Sequence, residues 1–205
     1  VYEQVIQALE GRDYTEFWGI ESNPDISTLK KAIESGKEKN IDFLLAVGGG
    51  SVIDGTKLIS AGIPYDGDAW ELVKKGSAQN TIPLGTVLTI PATGSEMNNG
   101  AVISCRETHE KYPFFSSHPV FSILDPTVTF SLPDYQIACG LADTFVHVME
   151  QYMTKTNESY LMDRWSESIL RTLVQIAPQI KENKQDYHLM SEFMISATMA
   201  LNGFI

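Results

Sequence analysis

Two short apolar runs, each emptying into a stretch of small residues, constrain this chain more than any other feature. The first, I-D-F-L-L-A-V at Ile41 to Val47, runs straight into G-G-G-S-V-I-D-G-T-K, which begins with Gly48, Gly49, Gly50 and Ser51. The second, P-L-G-T-V-L-T-I at Pro83 to Ile90, ends in P-A-T-G-S-E-M-N, Pro91 to Asn98. A strand that is apolar along its whole length is one covered on both faces, and the parallel sheets of α/β proteins provide that cover. Ligands of such sheets bind beyond the carboxyl ends of the strands, where both small-residue stretches stand.

The surrounding pattern agrees. Val1, Val5, Ile6 and Leu9 form a helical stripe closed by Gly11, and Tyr14 to Trp18 reads as a short strand. Gly19 to Pro24 turns the chain, and Asp25 or Ser27 caps a helix carrying Leu29, Ala32 and Ile33 as far as Asn40. Further short strands are expected at Ala101 to Ser104, Glu110 to Phe115 and Pro119 to Leu124, with R-E-T-H-E-K as a hairpin tip that leaves His109 in solvent. Beyond Pro133 the grammar changes to all-α. S-L-P-D at Ser131 to Asp134 starts a central helix, Asn157 to Lys181 forms a second that Pro178 should kink or end, and Met190, Met194, Ala197 and Leu201 mark a third.

Three glycines at the end of a parallel strand allow a sharp turn and a close backbone approach, and the next helix points its positive N-terminus at the same place. The arrangement suits a phosphate. It is neither G-x-G-x-x-G nor a P-loop, and a Gly triplet alone more often marks a tight turn. In the second loop Thr89, Thr93, Gly94, Ser95 and Asn98 offer hydroxyls, an amide and open backbone to a nucleotide, although a Ser/Thr-rich loop can equally bond to itself.

The central helix runs through I-A-C-G-L-A-D-T-F-V-H-V-M-E-Q-Y-M, Ile137 to Met153. Its apolar residues cover most of its girth, which predicts burial, and a thin polar line of Asp143, His147 and Glu150 divides them. Residues four apart on a helix are stacked neighbours, so Asp143 and His147 can offer a carboxylate and an imidazole to one point. The plainer alternative is the solvated edge of an amphipathic helix.

A formal charge of -11 leaves no surplus of Lys and Arg for nucleic acid. No apolar run is long enough for a membrane span, and V-Y-E-Q-V-I-Q-A-L-E is not a signal peptide. Cys105 and Cys139 lack metal-type spacing and read as reduced thiols, so a cytoplasmic protein is expected.

Taken in order, A-V-G-G-G-S-V-I-D-G-T-K, L-T-I-P-A-T-G-S-E-M-N, I-L-D-P and G-L-A-D-T-F-V-H-V-M-E-Q-Y resemble the iron-containing (group III) alcohol dehydrogenases. Within them the butanol dehydrogenase and broad-range aldehyde reductase branch is most similar. The resemblance covers essentially the whole chain, and the series is more specific than any of its parts. It implies a Rossmann-like, doubly wound α/β nucleotide-binding domain over residues 1–132. The first helices of an all-α metal-binding domain would follow over 133–205, as in the dehydroquinate synthase-like fold. It also implies NADP or NAD as cofactor, a divalent iron or zinc, a small alcohol or aldehyde substrate, and a homodimer or higher oligomer.

Residue by residue, the family pattern puts Gly49, Gly50, Ser51 and Asp54 at the cofactor's pyrophosphate. Thr89, Thr93 and Ser95 would lie on its phosphate and ribose side, Asn98 and Lys111 at the nicotinamide half, and Leu124 would contact the cofactor from the domain junction. Asp143 and His147 match two of four metal ligands. In the family a divalent metal polarises the substrate oxygen while hydride passes to or from the nicotinamide. Relatives begin with two further strands and a Gly-rich loop before the position of Val1, and carry their remaining ligand histidines beyond A-L-N-G, Ala200 to Gly203. His118 and His188 do not stand in their place. A dinucleotide-binding portion that needs a complementing chain is therefore an alternative, as is a relative of glycerol dehydrogenase or dehydroquinate synthase.

Overall fold

In the computed structural model, which describes residues 1–154 and 159–205, the two apolar runs become neighbouring parallel strands. β1 (Leu44–Gly48) pairs with β2 (Leu84–Leu88), with Leu44 opposite Leu84 and Gly48 opposite Leu88. An antiparallel hairpin of β3 (Gly100–Cys105) and β4 (Glu110–Phe115) follows. The chain then returns as β5 (Phe121–Ile123), parallel to β2, for a sheet order of β1-β2-β5. Every residue of the middle strand β2 is buried, as an all-apolar run requires. The architecture is α/β.

Short α1 (Tyr2–Ala8) precedes α2 (Ile26–Glu38), whose N-cap is Asp25; the Asp25 carboxylate accepts the Ser27 N–H at 2.9 Å. α3 (Gly50–Gly62) springs from β1. α2, α3, a short α4 (Ala69–Lys74) and the hairpin enclose one core of Leu29, Ile33, Leu58, Leu72, Ile103 and Phe114. Three long helices follow: α5 (Asp134–Tyr152), α6 (Tyr160–Glu182) and α7 (Tyr187–Ala200). They pack around Ile137, Leu173, Ile176, Ile180, Met190 and Phe193. A third, smaller core of Ala46, Ile53, Leu88 and Met194 ties α7 to the sheet.

Three expectations change, and one element is new. Tyr14 to Trp18 is not a strand. Its aromatic and β-branched residues suit one, yet no described strand pairs with it, and Glu16 instead accepts from the Tyr2 hydroxyl and the Trp18 indole. Pro178 does not end α6, which continues to Glu182 because Ile176 and Ile180 on either side of the proline stay packed against the neighbouring helices; the expected start at Asn157 lies outside the described residues. α4 has no counterpart in the sequence reading, since six residues are too few to display a period. Finally, α5 buries only the stripe Ile137, Gly140, Thr144 and Val148, and leaves Val146 50% exposed. Its other apolar side has no described element against it.

No described helix is long and apolar enough to cross a membrane.

Candidate cofactor and metal site

The glycine turn works through size rather than through unusual dihedrals. Gly49 is the N-cap of α3 in extended conformation, φ -86° and ψ -171°, and none of Gly48, Gly49 and Gly50 has positive φ. A Cβ on Gly49 would collide with the Ile90 side chain, and one on Gly50 with the Thr93 side chain. The expected sharp glycine turn is thus a close approach between the two small-residue loops. At the mouth of α3 the N–H groups of Val52 and Ile53 both bond to the Gly49 carbonyl, and the earlier amides of a helix start are the ones left to a ligand or to water.

Ser51 and Lys111, distant in sequence, meet at a residue that the sequence reading passed over. Asn23 stands in the left-handed region at φ 54°; its N–H donates to Ser51 Oγ at 3.3 Å, and its Oδ1 accepts from Lys111 Nζ at 2.8 Å. The turn E-S-N-P held a usable signal, because Asn tolerates this conformation better than most residues.

The second loop is held from beneath. Gly94 takes φ 62°, one turn of 3₁₀ helix covers Ser95–Met97, and Thr93 Oγ1 accepts the Ser95 N–H at 3.3 Å. Asp54 on α3 accepts from Ser95 Oγ at 2.6 Å and from the Val102 N–H at 2.9 Å, and burial pushes its carboxyl up. Asn98 accepts from the Gly100 N–H at 3.0 Å and donates to the Leu201 carbonyl at 2.7 Å. Leu124 packs on the third core. Thr89 continues the sheet contact, its N–H reaching the Gly48 carbonyl at 3.0 Å.

Two charged residues missing from the sequence reading sit inside this network. Lys57, with no exposed surface, donates to Ser95 Oγ and Asn98 Oδ1 at 2.9 Å each and to the Gly100 carbonyl at 2.6 Å. Burial pulls its ammonium down to about 8, against the upward pull of Asp54 and Glu96. Glu96, 2% exposed, accepts from Thr198 Oγ1 on α7 at 2.6 Å, and its Oε2 is buried without a partner. Burial pushes that carboxyl up.

The same loop seats α5. A Cβ on Gly140 would stand 2.5 Å from the Pro91 carbonyl oxygen, and Thr144 Oγ1 points at the Ala92 carbonyl from 3.5 Å while bonding to the Gly140 carbonyl at 2.8 Å. Asp143 and His147 lie one position away from that docked stripe. Their Oδ1 and Nε2 are 3.8 Å apart, with side chains 44% and 17% exposed. This is too long for a hydrogen bond. It is short enough for both to reach one divalent ion at about 2.0–2.2 Å, and a carboxylate with an imidazole suits several such metals. His147 Nδ1 is buried with no partner. Among the described residues no group of three His, Cys, Asp or Glu gathers at one point, and His188 lines a separate groove between α6 and α7.

These features can be set beside known proteins. Residues 1–126 match the family described as iron-containing alcohol dehydrogenase, and residues 137–205 match the C-terminal part of the Fe-containing alcohol dehydrogenase family. The chain belongs to the iron-containing alcohol dehydrogenase family. The resemblance read from its motifs is confirmed. It is 47% identical over 211 residues to the NADPH-dependent aldehyde reductase YqhD of Escherichia coli (strain K12), covering 100% of this chain and 54% of that protein. It is 48% identical over 210 residues to the probable NADH-dependent butanol dehydrogenase 1 of Bacillus subtilis (strain 168), again over 100% of this chain and 54% of the other. The crystal structure of E. coli K-12 YqhD superposes with a TM-score of 0.95 over 98% of this chain and 53% of that one. An NADH-dependent butanol dehydrogenase A from Thermotoga maritima, 36% identical, gives 0.94 over 99% and 52%. The chain spans about half the length of the curated relatives it matches.

Proposed function

We propose that this iron-containing alcohol dehydrogenase chain contributes the cofactor cradle and part of the metal site of an oxidoreductase. That enzyme would transfer hydride between NADPH or NADH and a short or medium aliphatic aldehyde. The observation that carries this reading is the docking of Gly140 and Thr144 on Pro91 and Ala92, which sets the Asp143 and His147 helix against the loop that follows β2. Residues 1–132 serve as the nucleotide-binding part and residues 133–205 as the start of the metal-binding part.

In this reading Gly49, Gly50 and Ser51 offer the start of α3 to the pyrophosphate. Thr89, Thr93, Ser95 and Asn98 shape the ribose and nicotinamide side, with Asp54, Lys111 and Leu124 around them. Asp143 and His147 hold a divalent iron or zinc, which when bound polarises the substrate oxygen. The close fit of Gly49 to Ile90 and of Gly50 to Thr93 keeps the two loops in one fixed cradle, so that the cofactor meets a formed surface.

A second reading is favoured by the lack of a third donor beside Asp143 and His147 among the described residues. The chain would then bind dinucleotide and turn over only with a complementing chain. Loss of absorbance of NADPH or NADH with butanal, with and without Zn²⁺ or Fe²⁺, decides between the two. Metal-dependent consumption by the 205-residue chain supports the first. Cofactor binding without consumption supports the second, and absence of cofactor binding removes both.

A further inference from the structure

Among the described residues Lys57 is the only lysine with no exposed surface. It lies one turn beyond Asp54 on α3, between Thr56 and Leu58, which are themselves buried. A buried ammonium is tolerated only when it is paired and its donors are matched. Lys57 has three N–H donors and three acceptors: Ser95 Oγ, Asn98 Oδ1 and the Gly100 carbonyl. Ser95 and Asn98 belong to the loop after β2, and Gly100 is the first residue of β3, where that loop ends. Ser95 carries the link on to Asp54, and the charged groups facing Lys57 are Asp54 and Glu96.

We propose that Lys57 is a positioning residue, whose ammonium holds Ser95, Asn98 and Gly100 in the arrangement that receives the nicotinamide cofactor without touching the cofactor itself. This rests on the reading of that loop as part of the cofactor site. The three donors of the ammonium match these three acceptors one to one. Methionine, similar in length, has none.

Hydrogen exchange on the cofactor-free chain reads the brace directly. The Met97 N–H, bonded to the Gly94 carbonyl, and the Gly100 N–H, bonded to Asn98 Oδ1, are the reporters; Val47 and Val87 in the sheet are the controls. Lys57→Met should speed exchange at the two reporters by roughly tenfold or more, as expected when hydrogen bonds to a charged group are lost, and leave the controls unchanged. Ser95→Ala, which removes one of the three acceptors and leaves Lys57 in place, should speed exchange at the Met97 reporter in the same direction. The dissociation constant for NADPH, followed by its fluorescence, should rise by roughly tenfold or more in Lys57→Met.

Unchanged reporter exchange in both variants overturns the brace. Faster exchange with unchanged NADPH affinity overturns its role in shaping the site. If Lys57→Met also loses protection at Val47 and Val87, Ser95→Ala decides alone. If the unaltered chain binds no NADPH, the reading of the loop as a cofactor site fails, and the exchange data still decide the brace.

Discussion

Gly140 of α5 and Pro91 of the loop after β2 are in backbone contact, with room for no side chain between them: a Cβ on Gly140 would stand 2.5 Å from the Pro91 carbonyl oxygen and 3.0 Å from the Phe193 ring. Neither the Pro91 backbone nor the buried Phe193 ring can yield cheaply. Gly140→Val should therefore destabilise the chain by about 1–3 kcal/mol through overpacking and also weaken Zn²⁺ binding by moving Asp143 and His147. Urea unfolding and metal titration check the two effects, and a Gly140→Val chain of unaltered stability would show that α5 does not seat on this loop.

His147→Ala and Asp143→Asn separate binding from folding. Both side chains are partly exposed and do not bond to each other, so each change should alter stability by less than about 0.5 kcal/mol. Zn²⁺ affinity should fall by roughly tenfold or more in each. Calorimetric titration gives the second quantity, and the ligand assignment fails if affinity is the same in both variants as in the unaltered chain.

The buried network makes stability depend on pH in two opposite directions. Asp54 and Glu96 have carboxyls raised by burial, so their contribution is full below the unfolded values and is lost as pH climbs through the raised ones. Lys57 is lowered from 10.5 to about 8, so its contribution is full above 10.5 and is lost as pH falls through about 8. These groups alone should leave the urea midpoint lowest between the two ranges. Glu96→Gln should flatten the acid side of that dip and Lys57→Met the alkaline side; profiles parallel to that of the unaltered chain would contradict the assignment.

Gly50→Ala should reveal its coupling to Thr93 in a double-mutant cycle. The added methyl meets the Thr93 side chain, so the single variant should lose about 1–3 kcal/mol, and Thr93→Gly beside it should restore part of that. A coupling of roughly 0.5–3 kcal/mol is expected for residues in contact. Additive effects within error would mean that the loops do not touch at this point.

What could be read from the sequence was whatever a local pattern encodes. β1, β2 and β4 were legible because an apolar or β-prone run between small or charged residues has few other uses, and Asp143 with His147 because a spacing of four puts them on one side of a helix. Lys57 and Glu96 were not legible. Their partners lie 38 to 102 positions away, and a single lysine in an apolar helix gives no hint of which loop will supply its acceptors. The exposure of Val146 was missed for a related reason: girth-wide apolarity says that a helix can be covered, not which elements cover it. Tyr14 to Trp18 had the aromatic and β-branched residues of a strand without a neighbour to pair with.

The bonds from Glu96 to Thr198 and from Asn98 to Leu201 span 102 and 103 positions. Contacts so distant along the chain carry the loop-closure entropy that local ones avoid, and they form late. During synthesis, which proceeds from the N-terminus, β1, β2 and their helices have emerged well before α7. The loop that follows β2 therefore has its floor of Lys57 and Asp54 long before it has its wall. In the order of synthesis the wall from α7 comes well after the floor, and a nascent chain short of Leu201 holds the strands of the site without its finished shape.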